Sequence, residues 1–189
     1  MNRVVLFEPE KPANVGNIIR TCVAFDLKLT IIGNLTFELS DRSLKRAEMD
    51  YAIGFEIERF ETIEDFRKVH GKEEGYYVTR YSKNVYSSFD LSDSIHDKWF
   101  RFGRESTGIP KPVLKAHRDK TMRIPRAINA RSLNLSNSVA LVLAEALRQE
   151  GFPNLATTET IKGDDYLENW TKETKREISF FSFFAKLYS

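Results

Sequence analysis

The order in which short apolar runs and helix-period segments alternate restricts this chain more than any other feature. Val4-Val5-Leu6-Phe7 is a continuous apolar run of strand length. Pro9, Pro12 and Asn14 break it. Apolar residues then recur at Val15, Ile18, Ile19, Cys22 and Val23, which is helical spacing, and Asn14 is placed to cap that helix. Leu29–Ile32 is a second apolar run, closed by Gly33-Asn34. Strand, helix and strand in that order require a crossover, so the two strands are expected to lie parallel.

The alternation continues along the chain. Residues 40–52 are polar with a helical pattern, Ile57 and Phe60 suit a short strand, and Ile63, Phe66 and Val69 suit a helix ending near Gly71. Tyr76–Thr79, Trp99–Phe102 and Thr121–Ile124 read as further strands, whereas residues 81–97 carry no clear period. Val139, Val142, Leu143, Ala146 and Leu147 form an amphipathic stripe, ended by Gly151 and Pro153. The expected fold is therefore α/β, a parallel sheet flanked by helices, occupying residues 1–152. Residues 153–189 read as a separate extension of unknown role. Its aromatic end, from Ile178 through Phe180, Phe181, Phe183 and Phe184 to Leu187, is too apolar for a free tail.

Several classes of function are excluded. No apolar run approaches the roughly 20 residues that cross a bilayer. Glu8-Pro9-Glu10 follow the first strand closely, so no signal-peptide core is expected there. Cys22 is the sole cysteine and cannot form an internal disulfide, so a cytoplasmic protein is expected. His70, His96 and His117 are scattered without metal-ligand spacing, so no metal is expected, and each reads as a surface residue. No nucleophile elbow or Cys–His signature is present. Net charge is only +2, yet residues 101–131 hold nine basic residues against Glu105 and Asp119. A basic stretch in a near-neutral chain points to an anionic partner.

Three segments follow predicted strands, where open α/β sheets place their ligand sites. The first is Asn14-Val15-Gly16-Asn17-Ile18-Ile19-Arg20. The second, Phe102-Gly103-Arg104-Glu105-Ser106-Thr107-Gly108-Ile109-Pro110, is a tight loop whose glycines fit neither a P-loop nor a dinucleotide fingerprint. The third, Arg131-Ser132-Leu133-Asn134-Leu135-Ser136-Asn137-Ser138, precedes the apolar helix. Ser136 or Asn137 would suffice to cap it, which leaves Ser132 and Asn134 in excess of structural need. Backbone N–H groups there would also favour an anion.

Taken in order, these segments resemble the three motifs of the SPOUT methyltransferases, and in particular the tRNA (cytidine/uridine-34-2′-O)-methyltransferases. The likeness runs from about Val4 to Phe152. It implies a parallel sheet with a C-terminal trefoil knot, and a homodimer whose active site draws on both subunits. The cofactor implied is S-adenosyl-L-methionine, lined by Val78, Thr79, Gly103, Ile124 and Ser132. Asn14, Arg20, Glu105, Ser132 and Asn134 match the polar active-site residues, and the partner implied is tRNA, at its anticodon loop. Two alternatives are another enzyme of this kind acting on ribosomal RNA or a different tRNA site, and a non-catalytic RNA-binding protein of the same fold. Relatives of this kind commonly stop soon after the last helix, so the extension departs from their pattern.

Overall fold

The computed structural model describes residues 1–38, 54–71 and 75–170. The polar helix expected over 40–52 and the aromatic end of the extension lie outside the described residues. The chain divides into two compact units, Met1–Pro153 and Asn154–Ser189. In the second, residues 154–170 form turns, such as that closed by Tyr166 N–H donating to the Gly163 carbonyl.

The first unit is built on a parallel sheet. In chain order its elements are β1 (Asn2–Phe7), α1 (Pro12–Ala24), β2 (Lys28–Ile32), β3 (Ile57–Phe60), α2 (Ile63–His70), β4 (Gly75–Val78), β5 (Lys98–Phe102), α3 (Lys111–Ala116), β6 (Thr121–Met122) and α4 (Leu135–Glu150). The described strands lie in the order β3-β2-β1-β5-β4-β6, and every pair is parallel. β1 sits inside the sheet, and its side chains alternate between two faces. Val4 and Leu6 meet Ile18, Ile19 and Cys22 of α1 and Val142, Leu143 and Ala146 of α4. Val5 instead packs with Phe66 of α2 and with Ile32 and Trp99. A strand covered on both faces needs the unbroken apolar run seen in the sequence.

The helix starts differ from expectation. α1 begins at Pro12, two residues before the predicted cap, because proline's fixed φ and missing N–H suit a first turn. Asn14 is thus inside the helix and only 4% exposed. α4 is capped by Asn134 rather than by Ser136 or Asn137: its Oδ1 accepts from both of their backbone N–H groups at 2.9 and 3.3 Å. Asn134 therefore has a structural task after all, and these N–H groups are already engaged. Gly151 ends α4 in the left-handed conformation, φ 76°, that a residue with a Cβ adopts only under strain. The short α3 gave no periodic signal. It rests on Leu114, which packs with Tyr77 and Ile109.

The stripe Val139, Val142, Leu143, Ala146 and Leu147 buries one helical face in the core, at most 3% exposed, as its period implies. A further expectation is corrected. His70 is no surface residue. It packs at a tilt against Phe66 and Trp99, and its Nε2 lies 2.8 Å from Glu58 Oε1. His117 is half-buried against Tyr77, and only His96 is fully exposed. Cys22 lies in the core, where burial pushes its thiol up to about 12. No helix among the described residues is long and apolar enough to cross a membrane.

Candidate functional site

A cavity of about 470 Å³ opens at the carboxyl ends of β1, β4, β5 and β6. That volume lies in the range of small-molecule sites, about 300–1,000 Å³. Val78, Phe102, Ile124 and Leu135 supply apolar walls, and Thr79, Ser132 and Ser138 supply hydroxyls. Asn14, Gly103, Glu105 and Asn134 complete the meeting of all three sequence segments. Every residue expected to line a cofactor is therefore on this one cavity, as are four of the five expected catalytic residues. The exception is Arg20. It lies exposed on α1 and does not line the cavity.

The three segments are tied by a directed chain of hydrogen bonds. Glu105 accepts from Glu10 N–H at 2.8 Å, Lys11 N–H at 3.2 Å and Asn14 Nδ2 at 2.8 Å. Asn14 Oδ1 in turn accepts from Asn134 Nδ2 at 2.8 Å. Asn134 Oδ1 closes the series on the first turn of α4, adding the Ser136 hydroxyl at 2.7 Å. The ends of this chain dictate its sense. A carboxylate can only accept and a backbone N–H can only donate, so neither amide can be flipped without facing like against like.

Two more carboxylates fasten the loop after β1 to the loop after β5. Glu8 pairs with Arg104, whose Nε donates at 2.8 Å. Glu10 accepts from the Ser106 N–H at 2.8 Å and hydroxyl at 2.7 Å, and these bonds hold it below the usual carboxylate range. The β5 loop also closes on itself through Gly108 N–H donating to the Arg104 carbonyl at 2.9 Å. Gly103 sits under this closure. A Cβ there would lie 2.2 Å from the Gly108 carbonyl carbon and the Ile109 nitrogen. Its glycine is required by the loop's own backbone, before any ligand is considered.

The basic stretch is divided by the fold. Arg101 is buried, its guanidinium 5.1 Å from the Tyr77 ring centroid, and a Cβ on Gly75 would overlap it. It contributes nothing to a surface. Arg104 and Arg126 line the cavity, joined by Lys11 and Arg80 from outside that stretch. Among the described residues the only carboxylate on the lining is Glu105. Sequence reasoning passed over Arg80 and Tyr81, although they directly follow β4 at the strand ends where ligands bind. Tyr81 is 54% exposed, with the Arg80 guanidinium 5.0 Å from its ring centroid and Arg80 Nη2 donating to its hydroxyl at 2.9 Å. That hydrogen bond and the charge of Arg80 lower the Tyr81 phenol from its ordinary value. Glu8 and Glu10 also went unremarked as ties. Their signal was an acidic pair flanking Pro9 at the end of β1.

Known proteins resemble this chain. Residues 1–144 match the SpoU rRNA Methylase family. A Geobacillus stearothermophilus protein, provisionally named a tRNA (cytidine(34)-2′-O)-methyltransferase, is 43% identical over 153 residues, 81% of this chain and 98% of its own. A solved structure described as giving insight into the 2-OH methylation of C/U34 on tRNA aligns with TM-score 0.70 and 31% identity. It covers 79% of this chain and 95% of that one. An AdoMet-bound rRNA methyltransferase from Sinorhizobium meliloti aligns with TM-score 0.67 and 27% identity, over 78% of this chain and 56% of that one.

Proposed function

The chain belongs to the SpoU rRNA Methylase family, and from that premise we propose that it transfers a methyl group from S-adenosyl-L-methionine to the ribose 2′-hydroxyl of the wobble nucleotide of tRNA. The observation that carries this reading is the convergence of the three motif segments on one cavity, locked by the Glu105–Asn14–Asn134 chain. The relatives named for ribose methylation at position 34 supply the target.

The cavity suits the cofactor. Its apolar walls at Val78, Phe102 and Ile124 fit a purine, and Thr79, Ser132 and the tight Gly103 loop offer polar and backbone groups for the rest. The cofactor supplies an activated methyl group, so the protein's task is alignment. Positioning alone supplies roughly 7–11 kcal/mol in favourable cases. Glu105, Asn14 and Asn134 fix the three loops relative to one another, and Glu105, already accepting three N–H groups, acts as an anchor rather than a base. Arg20 holds a flanking phosphate or offsets developing charge on the 2′-oxygen, as a guanidinium does without losing its proton.

Arg20 does not line its own subunit's cavity, which supports a homodimer in which it serves the partner's site. Val23 and Leu141, on the two helices that pack together, are 37% and 42% exposed and offer large apolar side chains to such an interface. A C-terminal knot is also part of this proposal. The segment 79–97 supports it by touching chain on both sides of residues 124–134: Tyr86 N–H donates to the Arg123 carbonyl, and Leu91 N–H to Gln149 Oε1 of α4.

The test is direct. Purified protein is incubated with unmodified tRNA and labelled S-adenosyl-L-methionine, and the alkali-resistant linkages are mapped. One new resistant linkage at the wobble ribose is expected. Methylation confined to another nucleotide or to ribosomal RNA would overturn the target, and none on any RNA would overturn the activity.

A further inference from the structure

We propose that Tyr81, braced by Arg80, is the platform on which the unpaired base of the target nucleotide stacks while its ribose enters the cavity. This rests on the RNA methyltransferase reading above and adds a substrate-binding residue to it.

Tyr81 is over half exposed at the cavity's rim, although burial of an aromatic ring is favourable. The ring is nonetheless held in place. Arg80 covers part of it and donates to its hydroxyl, and Tyr81 N–H donates to Thr79 Oγ1 at 3.3 Å. Thr79 is itself anchored, its N–H donating to the Met122 carbonyl at 2.9 Å. A fixed, exposed ring beside a cavity lined by Lys11, Arg80 and Arg126, with Arg104 paired to Glu8, has the two properties that single-stranded RNA requires. The cations attract the phosphates, and the ring accepts a base. Among the described residues no other aromatic side chain that lines the cavity is exposed, since Phe102 is 2% accessible. Stacking uses the π face that all bases share, so the platform holds the base without selecting its identity.

The experiment measures binding of an anticodon stem–loop RNA to the full chain, with either the normal base or an abasic site at the target nucleotide. Tyr81→Ala should weaken binding of the normal RNA about tenfold, in the range of one lost base–aromatic stack. The abasic RNA should bind wild-type protein about as poorly, and combining the two changes should cost nothing further, because both remove the same contact. Tyr81→Phe keeps the ring and should stay within about twofold of wild type. S-adenosyl-L-methionine affinity, read by calorimetry, should be unchanged in both variants. The platform is overturned by additive losses, by a Phe variant as weak as the Ala variant, by full RNA affinity in Tyr81→Ala, or by a loss confined to the cofactor. Wild-type protein that neither binds the hairpin nor methylates tRNA would instead sink the enzyme reading itself, and the platform with it. Normal wild-type methylation beside additive losses would sink the platform alone.

Discussion

A carboxylate has about four acceptor sites, and Glu105 uses three of them on N–H groups of the β1 loop and of Asn14. Glu105→Gln preserves its shape but turns one oxygen into a donor facing donors. Stability should fall by about 1–3 kcal/mol, the cost of leaving such groups unmatched, and denaturant unfolding would read it. Cofactor affinity should fall with it, since the loop bearing Gly103 is held by the same contacts. A change within about 0.5 kcal/mol, as at an ordinary surface site, would show that the chain of amides does not hold the site together. Arg20 should behave differently, having no place in that chain. Arg20→Ala should leave stability and cofactor affinity near wild type while reducing methyl transfer at least about tenfold, or roughly 1.4 kcal/mol. Single-turnover rates at saturating cofactor are the check, and full activity would make Arg20 structural.

At the scale of elements, the β5 loop is the tightest piece of the site. Gly103→Ala is enough to disturb it, because the added methyl meets loop backbone and not the flexible end of a side chain. Cofactor binding should be lost or severely weakened by this single carbon, and normal calorimetric binding would remove the loop from the site. Elements with a strong period were legible in the sequence: β1, α1, β2 and α4 are where the apolar residues place them, and strand ends pointed to the cavity. What escaped was set by partners far along the chain. Asn14 looked like a cap because capping is local chemistry, whereas its real partners are 91 and 120 residues away. Arg101 read as surface charge because nothing nearby announces that Gly75 clears space for it across the sheet. α3 is too short to show a period.

For the whole molecule, the proposed shared site makes a sharp demand on assembly. Impaired Arg20→Ala subunits mixed with impaired Gly103→Ala subunits should regain activity, because one of the two composite sites then has an intact cavity and an intact arginine. Failure to regain any activity, with mixed dimers verified, would place Arg20 and the cavity in one subunit. A different constraint comes from the far end of the sheet. Glu150, the last residue of α4, lies 2.5 Å from Lys98 Nζ and accepts from Asn2 at 3.0 Å, with the side chains of Glu150 and Lys98 almost fully buried. During synthesis Asn2 leaves the ribosome 148 residues ahead of this partner, and Lys98 also precedes it. Burying a lone lysine charge costs several kcal/mol, so β5 cannot settle into its final place until α4 has emerged. The nascent unit should therefore stay protease-sensitive until its final helical residue clears the exit tunnel, then become resistant in one step. Gradual protection as each strand appears would show that the sheet does not wait for α4 to be complete.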